Sequence, residues 1–158
     1  MAWEFHVLVV ANVTATSDEL LAALRERASR GACRFTLLMP REGGNSAAHL
    51  AGALDAFKAG GLENVSGQTG DHDPIVATME VWDPMKFDEI VVSTLPTGSS
   101  RWLGLDLPHR LEKLTSVPVH HVVSRPPATE VQWERAPEPE KYGVLSPLAA
   151  ALTRKNPS

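Results

Sequence analysis

Between Phe87 and Val123 the chain passes from an apolar strand into a polar loop, then a helix, then a second strand. Phe87-Asp88-Glu89-Ile90-Val91-Val92 reads as a strand covered on both faces, as the strands of a parallel sheet are. The loop from Ser93 to Leu105 is rich in Gly, Ser, Thr and Pro. Asp106-Leu107-Pro108-His109-Arg110 then opens a helix, and Val117-Pro118-Val119 leads the next strand. Parallel neighbours require a crossover of this kind. In open α/β sheets a loop at the carboxyl end of a strand is where ligands bind.

The rest of the chain repeats the alternation. His6 to Ala11 is a continuous Val/Leu run and predicts a first buried strand. Thr16 as N-cap and Glu19 as its capping-box partner predict a helix with Leu20, Leu21, Leu24 and Ala28 on its apolar stripe and Gly31 as a left-handed C-cap. Phe35 to Met39 predicts the second strand, and Leu50, Leu54 and Phe57 mark a second helix that stops at Gly60-Gly61. Leu62 to Thr69, broken by Asn64, Ser66 and Gln68, has the polarity of an edge strand. Asp73 caps a third helix with Pro74 at its first position and Ile75, Met79 and Trp82 on the stripe. Leu107, Leu111 and Leu114 turn the fourth helix toward the core, and Val117 to Val123 is the fifth strand. Five strands alternating with four helices predict a right-handed, open, doubly wound parallel sheet. Residues 1–124 form this α/β domain. Residues 125–158 hold half of the twelve prolines and no strand pattern, and predict an irregular C-terminal tail with one short amphipathic stretch at Pro147 to Arg154.

Composition narrows the function classes. The net charge of -4 and the absence of a Lys/Arg cluster argue against nucleic acid as a partner. No run approaches the roughly 18 apolar residues of a membrane span, and Met1-Ala2-Trp3-Glu4-Phe5 is no secretory signal, so a cytoplasmic protein without a membrane partner is expected. Cys33, the single cysteine, reads as a buried inert thiol. No Gly-x-Ser-x-Gly elbow, Walker loop or Gly-x-Gly-x-x-Gly follows a strand, so no catalytic constellation is expected. Asp71-His72-Asp73 contains metal-ligand types, but adjacent residues cannot converge on one ion, and no metal is expected there.

Several local signatures, correctly spaced, resemble the universal stress protein family: Ala11-Asn12 at the end of the first strand, Gly70-Asp71-His72-Asp73-Pro74-Ile75 after the third, Asp88 before the fourth, and Pro118-Val119 before the fifth. The likeness covers roughly residues 5–123. The wording Val91-Val92-Ser93-Thr94-Leu95-Pro96, Ser100-Arg101-Trp102-Leu103 and Asp106-Leu107-Pro108 is similar to a divergent actinobacterial branch of that family. The resemblance implies strand order 3-2-1-4-5, a role in stress response or regulation, a small ligand at the carboxyl ends of the strands, and a homodimer paired through the fifth strand.

Nucleotide-binding members carry Gly-x2-Gly-x9-Gly-Ser/Thr after the fourth strand, where glycines let the backbone approach the phosphates. The corresponding positions here are Ser93, Pro96 and Asp106-Leu107, so every motif glycine is replaced. Asp106 is expected to cap the fourth helix with its own carboxylate, filling the N–H groups and placing negative charge where a phosphate would sit. ATP in the usual family mode is therefore not expected, and no cofactor is assigned.

The candidate ligand residues are Ala11, Asn12, Thr14, Met39, Gly70, Asp71, Ser93, Thr94, Gly98, Ser99, Ser100, Arg101, Trp102 and Asp106. Asn12 either reads a ligand or ties down the Thr14-Ala15-Thr16 turn. Arg101 either holds an anion or pairs with Asp106, and Trp102 either covers a ligand or anchors the loop. Two functions compete: a small-ligand-binding regulatory module, and a dimeric interaction protein whose loop has closed over the vacant site. Binding of ATP or another nucleotide by a variant loop is a third reading.

Overall fold

A computed structural model describes residues 3–96 and 100–125 of the chain, all within one compact unit spanning Met1–Pro126. Apart from Arg125, the proposed tail lies outside the described residues, as does its short helix. The elements run β1 (Phe5–Val10), α1 (Asp18–Ser29), β2 (Cys33–Pro40), α2 (Ser46–Ala59), β3 (Val65–Gly70), α3 (Pro74–Val81), β4 (Glu89–Thr94), α4 (Arg101–Gly104), α5 (Leu107–Thr115) and β5 (Val119–Val123). The five strands form one sheet in the order β3-β2-β1-β4-β5, and all four pairings are parallel. This is the doubly wound sheet that the alternation predicts.

Alternation along the central strands divides the core in two, because successive side chains leave opposite faces of a sheet. Val7, Val9, Phe35, Leu37 and Met39 pack with Leu20 and Leu24 of α1 and Ala53 and Phe57 of α2. Leu8, Val10, Leu38, Ile90 and Val92 pack with Ala77 of α3 and with Leu107 and Leu111 of α5 on the other face. Burying one such Leu or Phe is worth about 1.5–3 kcal/mol, which is why the central strands are apolar without interruption. Gly67 lets the edge strand β3 sit tight: a Cβ there would lie 2.8 Å from Leu50 Cδ1 and 2.9 Å from the Leu37 carbonyl oxygen. Asp88 fixes the start of β4 against β1, since its Oδ2 accepts from the His6 amide at 2.8 Å while its own amide donates to the His6 carbonyl at 2.9 Å.

Several local expectations are corrected. Among the described residues there are five helices rather than four, because Arg101–Gly104 forms a single turn within the expected loop, capped by Ser100 Oγ accepting from the Leu103 amide at 3.2 Å. The N-cap of α1 is Ser17, which accepts from the Leu20 amide, and not Thr16. That helix ends on Arg30 in right-handed geometry, so Gly31 is not a left-handed cap. Met79 and Leu114 face solvent, and the small Thr78 and Thr115 fill the inward positions by bonding back to the Pro74 and Leu111 carbonyls. Asp73 caps α3 as expected, accepting from the Ile75 and Val76 amides.

Candidate functional site

The carboxyl ends of β1 and β4 are adjacent at the centre of the sheet, and the chain leaves them toward opposite edges, so a crevice opens between their loops. A cleft of about 240 Å³ occupies this position. Of the sequence-predicted residues it gathers Asn12, Thr14, Ser93, Thr94, Ser100, Arg101 and Trp102. Val13, Glu42 and Leu95 complete its wall.

Its floor is a chain of hydroxyls. Thr14 Oγ1 lies 2.7 Å from Ser93 Oγ, which lies 2.9 Å from Ser124 Oγ, and all three residues are buried. One hydroxyl comes from the turn after β1, one from β4 and one from the end of β5, so the network ties three elements where the backbone ladder ends. Each such bond is worth about 0.5–1.5 kcal/mol net, and a lone hydroxyl buried here would cost more than that. Beside it, Thr94 Oγ1 donates to the Leu95 carbonyl at 2.9 Å and lies 2.7 Å from His121 Nε2. Partial desolvation of its ring lowers the His121 pKa from its ordinary value, which favours the neutral form although the residue also faces the open sheet edge.

Asn12 resolves between its two expected roles in an unforeseen way. Its Nδ2 donates to the Pro40 carbonyl at 2.7 Å, stapling the end of β1 to the end of β2, while its own carbonyl accepts the Ala15 amide at 3.0 Å to form the turn. The side chain still borders the cleft. Arg101 pairs with Glu42 of the β2–α2 loop and not with Asp106. Trp102 packs against the α3–α5 face of the core and also lines the cleft, so anchoring and cleft lining coincide. A second, wider cleft of about 470 Å³ shares Arg101 and Trp102 with the first and is otherwise bounded by His72, Asp73, Pro74, Gly104 and Leu105.

The remaining candidates fall elsewhere. Ala11 and Met39 are buried in the core and do not border the cleft. Gly70 permits close packing of α3, because a Cβ there would lie 2.9 Å from Ala77 Cβ. Asp71 Oδ1 accepts from the Asp73 amide at 2.9 Å, which settles the turn before α3. Gly98 and Ser99 lie outside the described residues. Among the described residues no group of three or more His, Cys, Asp or Glu is placed to hold a metal ion.

Asp106 departs most from expectation. It stands before α5 in the left-handed region, at φ 55° and ψ 43°, and its side chain makes no capping bond. From that backbone conformation the carboxylate swings away from the helix amides, and its Oδ2 lies 3.2 Å from His109 Nδ1, largely in solvent. The negative charge stays near the helix start, but the amides are not filled by it. A left-handed backbone of this kind is uncommon for a residue other than glycine.

Sequence reasoning missed Val13, Glu42 and Leu95 of the lining, and Ser124 beneath it. Glu42 was legible from topology, since it follows the second strand and every loop at that end of a doubly wound sheet faces the same crevice. Ser124 carries no signal of its own beyond ending the fifth strand.

No model of a protein family matches the chain, and no curated protein matches it in sequence. Solved structures do match. A universal stress protein crystallised in complex with cAMP superposes with a TM-score of 0.60 at 21% identity, covering 79% of this chain and 100% of that one. The protein Rv1636 from Mycobacterium tuberculosis H37Rv matches with a TM-score of 0.45 at 20% identity, covering 79% of this chain and 99% of that one. Strand order, parallel register and the superposition with the cAMP-bound protein agree: the chain has the universal stress protein fold.

Proposed function

We propose that the protein is a small-ligand-binding regulatory module, with its ligand in the cleft between the carboxyl ends of β1 and β4. The observation that carries this reading is the convergence of Asn12, Thr14, Ser93 and Arg101 on one crevice at the switch point of the sheet. Polar groups fixed by a rigid scaffold and bordered by apolar Val13, Leu95 and Trp102 are the usual make-up of a ligand site. Occupancy of the same fold by cAMP in a solved neighbour supports it further. A module rather than an enzyme is favoured because the cleft hydroxyls of Thr14 and Ser93 bond each other and Ser124, and Thr94, the cleft hydroxyl that lies beside His121, gives its proton to the Leu95 carbonyl and not to the ring.

ATP held in the family's usual mode fits poorly. Ser93 replaces the first motif glycine and spends its hydroxyl in the floor network, Pro96 replaces the second, and Asp106 leaves a carboxylate at the start of α5. The cleft of about 240 Å³ lies below the roughly 300 Å³ at which drug-sized sites begin. Native mass spectrometry of the purified full chain, followed by calorimetry with cAMP, AMP and ATP plus magnesium, tests the reading. A small molecule should travel with the protein or one of the smaller nucleotides should bind. ATP binding with a dissociation constant of about 1 μM, or roughly -8 kcal/mol, would sink the exclusion of ATP.

A second reading, a homodimer acting as an interaction protein, rests on β5. That strand is a sheet edge with His120, His121 and Val123 exposed, and open edges invite pairing. A monomer in analytical ultracentrifugation at tens of micromolar, on the order of ordinary assay conditions, would exclude it.

A further inference from the structure

Among the described residues the cleft is bordered by two charged ones, Glu42 and Arg101, and they are paired with each other. They come from separate elements, Glu42 from the β2–α2 loop and Arg101 from the first position of α4. Both residues line the cleft, so the pair forms at its border. The loop on the Glu42 side is held in place, because the Glu42 amide donates to Ser46 Oγ at 3.1 Å and Ser46 is buried. The side chains themselves are wet: 78% of the Arg101 side chain and 43% of that of Glu42 remain exposed. An ion pair in that setting is weak and exchangeable, since water screens it and both side chains lose rotamer freedom to form it.

The hydroxyls beneath the pair are compatible with an acceptor in the cleft. The three hydroxyls of Thr14, Ser93 and Ser124 carry three protons, and the two contacts among them use two. One proton is left over. If the chain runs from Ser124 through Ser93 to Thr14, the spare donor belongs to Thr14, a buried residue on the cleft wall. In that arrangement the cleft has a buried hydroxyl donor at its floor and, at its rim, a guanidinium whose present acceptor is the exposed Glu42 carboxylate.

The geometry points to Arg101 as the anion-binding group of this cleft and to Glu42 as its built-in competitor: the ligand carries an acidic group, carboxylate or phosphate, that displaces the Glu42 carboxylate from the guanidinium. This rests on the reading of the cleft as the ligand site. In the free protein Glu42 occupies the place the ligand's acid takes, so the affinity is set by a contest between two anions for one cation. The fork of the guanidinium suits either acid, because both present two oxygens to two parallel N–H groups. Neutral ligands gain nothing from that contest.

The test is an amide NMR titration of the full chain with inorganic phosphate, with acetate and with neutral adenosine, reading the resonances of Thr14, Ser93 and Arg101. Glu42→Gln should tighten anion binding about threefold, the scale of an exposed ion pair. Arg101→Gln should weaken it about tenfold, the scale of a charge-assisted hydrogen bond, and Arg101→Lys should restore part of it. Adenosine should bind all four proteins alike or none of them. Response to phosphate but not acetate identifies a phosphate ester as the ligand class, and the reverse identifies a carboxylate. Equal anion affinity in parent, Glu42→Gln and Arg101→Gln would overturn the inference and leave the cleft reading standing, as would binding of adenosine alone. Cleft resonances that ignore all three probes, in the parent and in Glu42→Gln, would overturn both.

Discussion

The two ends of β4 each carry an arginine–glutamate pair nearby, and the pairs have opposite characters. At the base of the sheet Glu89 opens β4 with its side chain only 10% exposed, and Arg27 of α1 meets it at 2.7 Å with its own side chain 18% exposed. That guanidinium also lies 4.7 Å from the centre of the Phe5 ring. Its hydrogen bond to Glu89 raises the Arg27 pKa, so the charge is permanent. At the other end, Arg101 and Glu42 meet largely in water. The residue types are identical and the surroundings decide the use. A buried pair cannot lose one partner without stranding the other, whereas an exposed pair can exchange partners at little cost. The base of the sheet is therefore fastened by charge, and the cleft end is left with a charge to give away.

The largest expected effect is at the base. Arg27→Ala should destabilise the fold by about 3 kcal/mol in denaturant unfolding, because Glu89 is left buried with only the His120 ring, 4.0 Å from its Oε1, beside it. The double variant Arg27→Ala with Glu89→Ala should recover part of that loss. A loss below about 0.5 kcal/mol would place Arg27 in the same class as a surface pair and erase the contrast.

A smaller effect concerns pH, and it touches both ends. Burial lowers the pKa of His6 at the base and of His121 at the cleft end from the ordinary value of 6.5, with Lys86 and Arg34 adding to the fall at His6 while Asp88 and Glu4 partly oppose it. Between the ordinary and the lowered values the unfolded chain binds more protons than the folded one. Stability is then complete above pH 6.5 and declines as the pH falls below it. His6→Gln and His121→Gln should each flatten the decline seen in thermal melts between neutral and mildly acidic pH. An unchanged slope in either variant would remove that histidine from the account.

The third effect separates what was legible in the sequence from what was not. The alternation of strands and helices, the buried central strands and the Asp73 cap follow from hydrophobic pattern and cap chemistry, which act locally and leave a mark on the sequence, whereas the strand order is implied only by the family resemblance. Asp73-Pro74 and Asp106-Leu107-Pro108 look alike as helix starts, yet only Asp73 caps. Asp73 sits at φ -82° in extended backbone, from which its oxygen reaches the amides of α3, and Asp106 sits at φ 55°, from which it does not. A backbone angle imposed by the preceding turn of α4 is not written in the identity of Asp106. Likewise, Glu42 and Arg101 lie far apart in the chain, and only the fold brings them together. Asp106→Ala should cost about 1 kcal/mol because alanine is disfavoured in left-handed backbone, whereas Asp106→Gly should be neutral or stabilise by a few tenths. Equal unfolding energies for the two variants would show that the backbone angle is not what constrains this position.

The smallest effect on stability is expected at the rim of the cleft. Glu42→Gln and Arg101→Gln should each shift the unfolding free energy by less than about 0.5 kcal/mol, since an exposed ion pair contributes little and each remaining partner is rehydrated when the other is neutralised. Raising the salt concentration should leave the parent and both variants with nearly the same stability, because screening already weakens the contact. The base of the sheet supplies the control: the loss caused by Arg27→Ala should largely persist in high salt, because only 10% of the Glu89 side chain is exposed and screening there is weak. If Glu42→Gln instead cost about 2 kcal/mol or more, the pair would be holding the cleft wall together, and exchange with a ligand acid would demand a compensation the cleft does not offer. A near-zero stability change, together with a change in anion affinity, is the combination that marks a charge held in reserve rather than one spent on the fold.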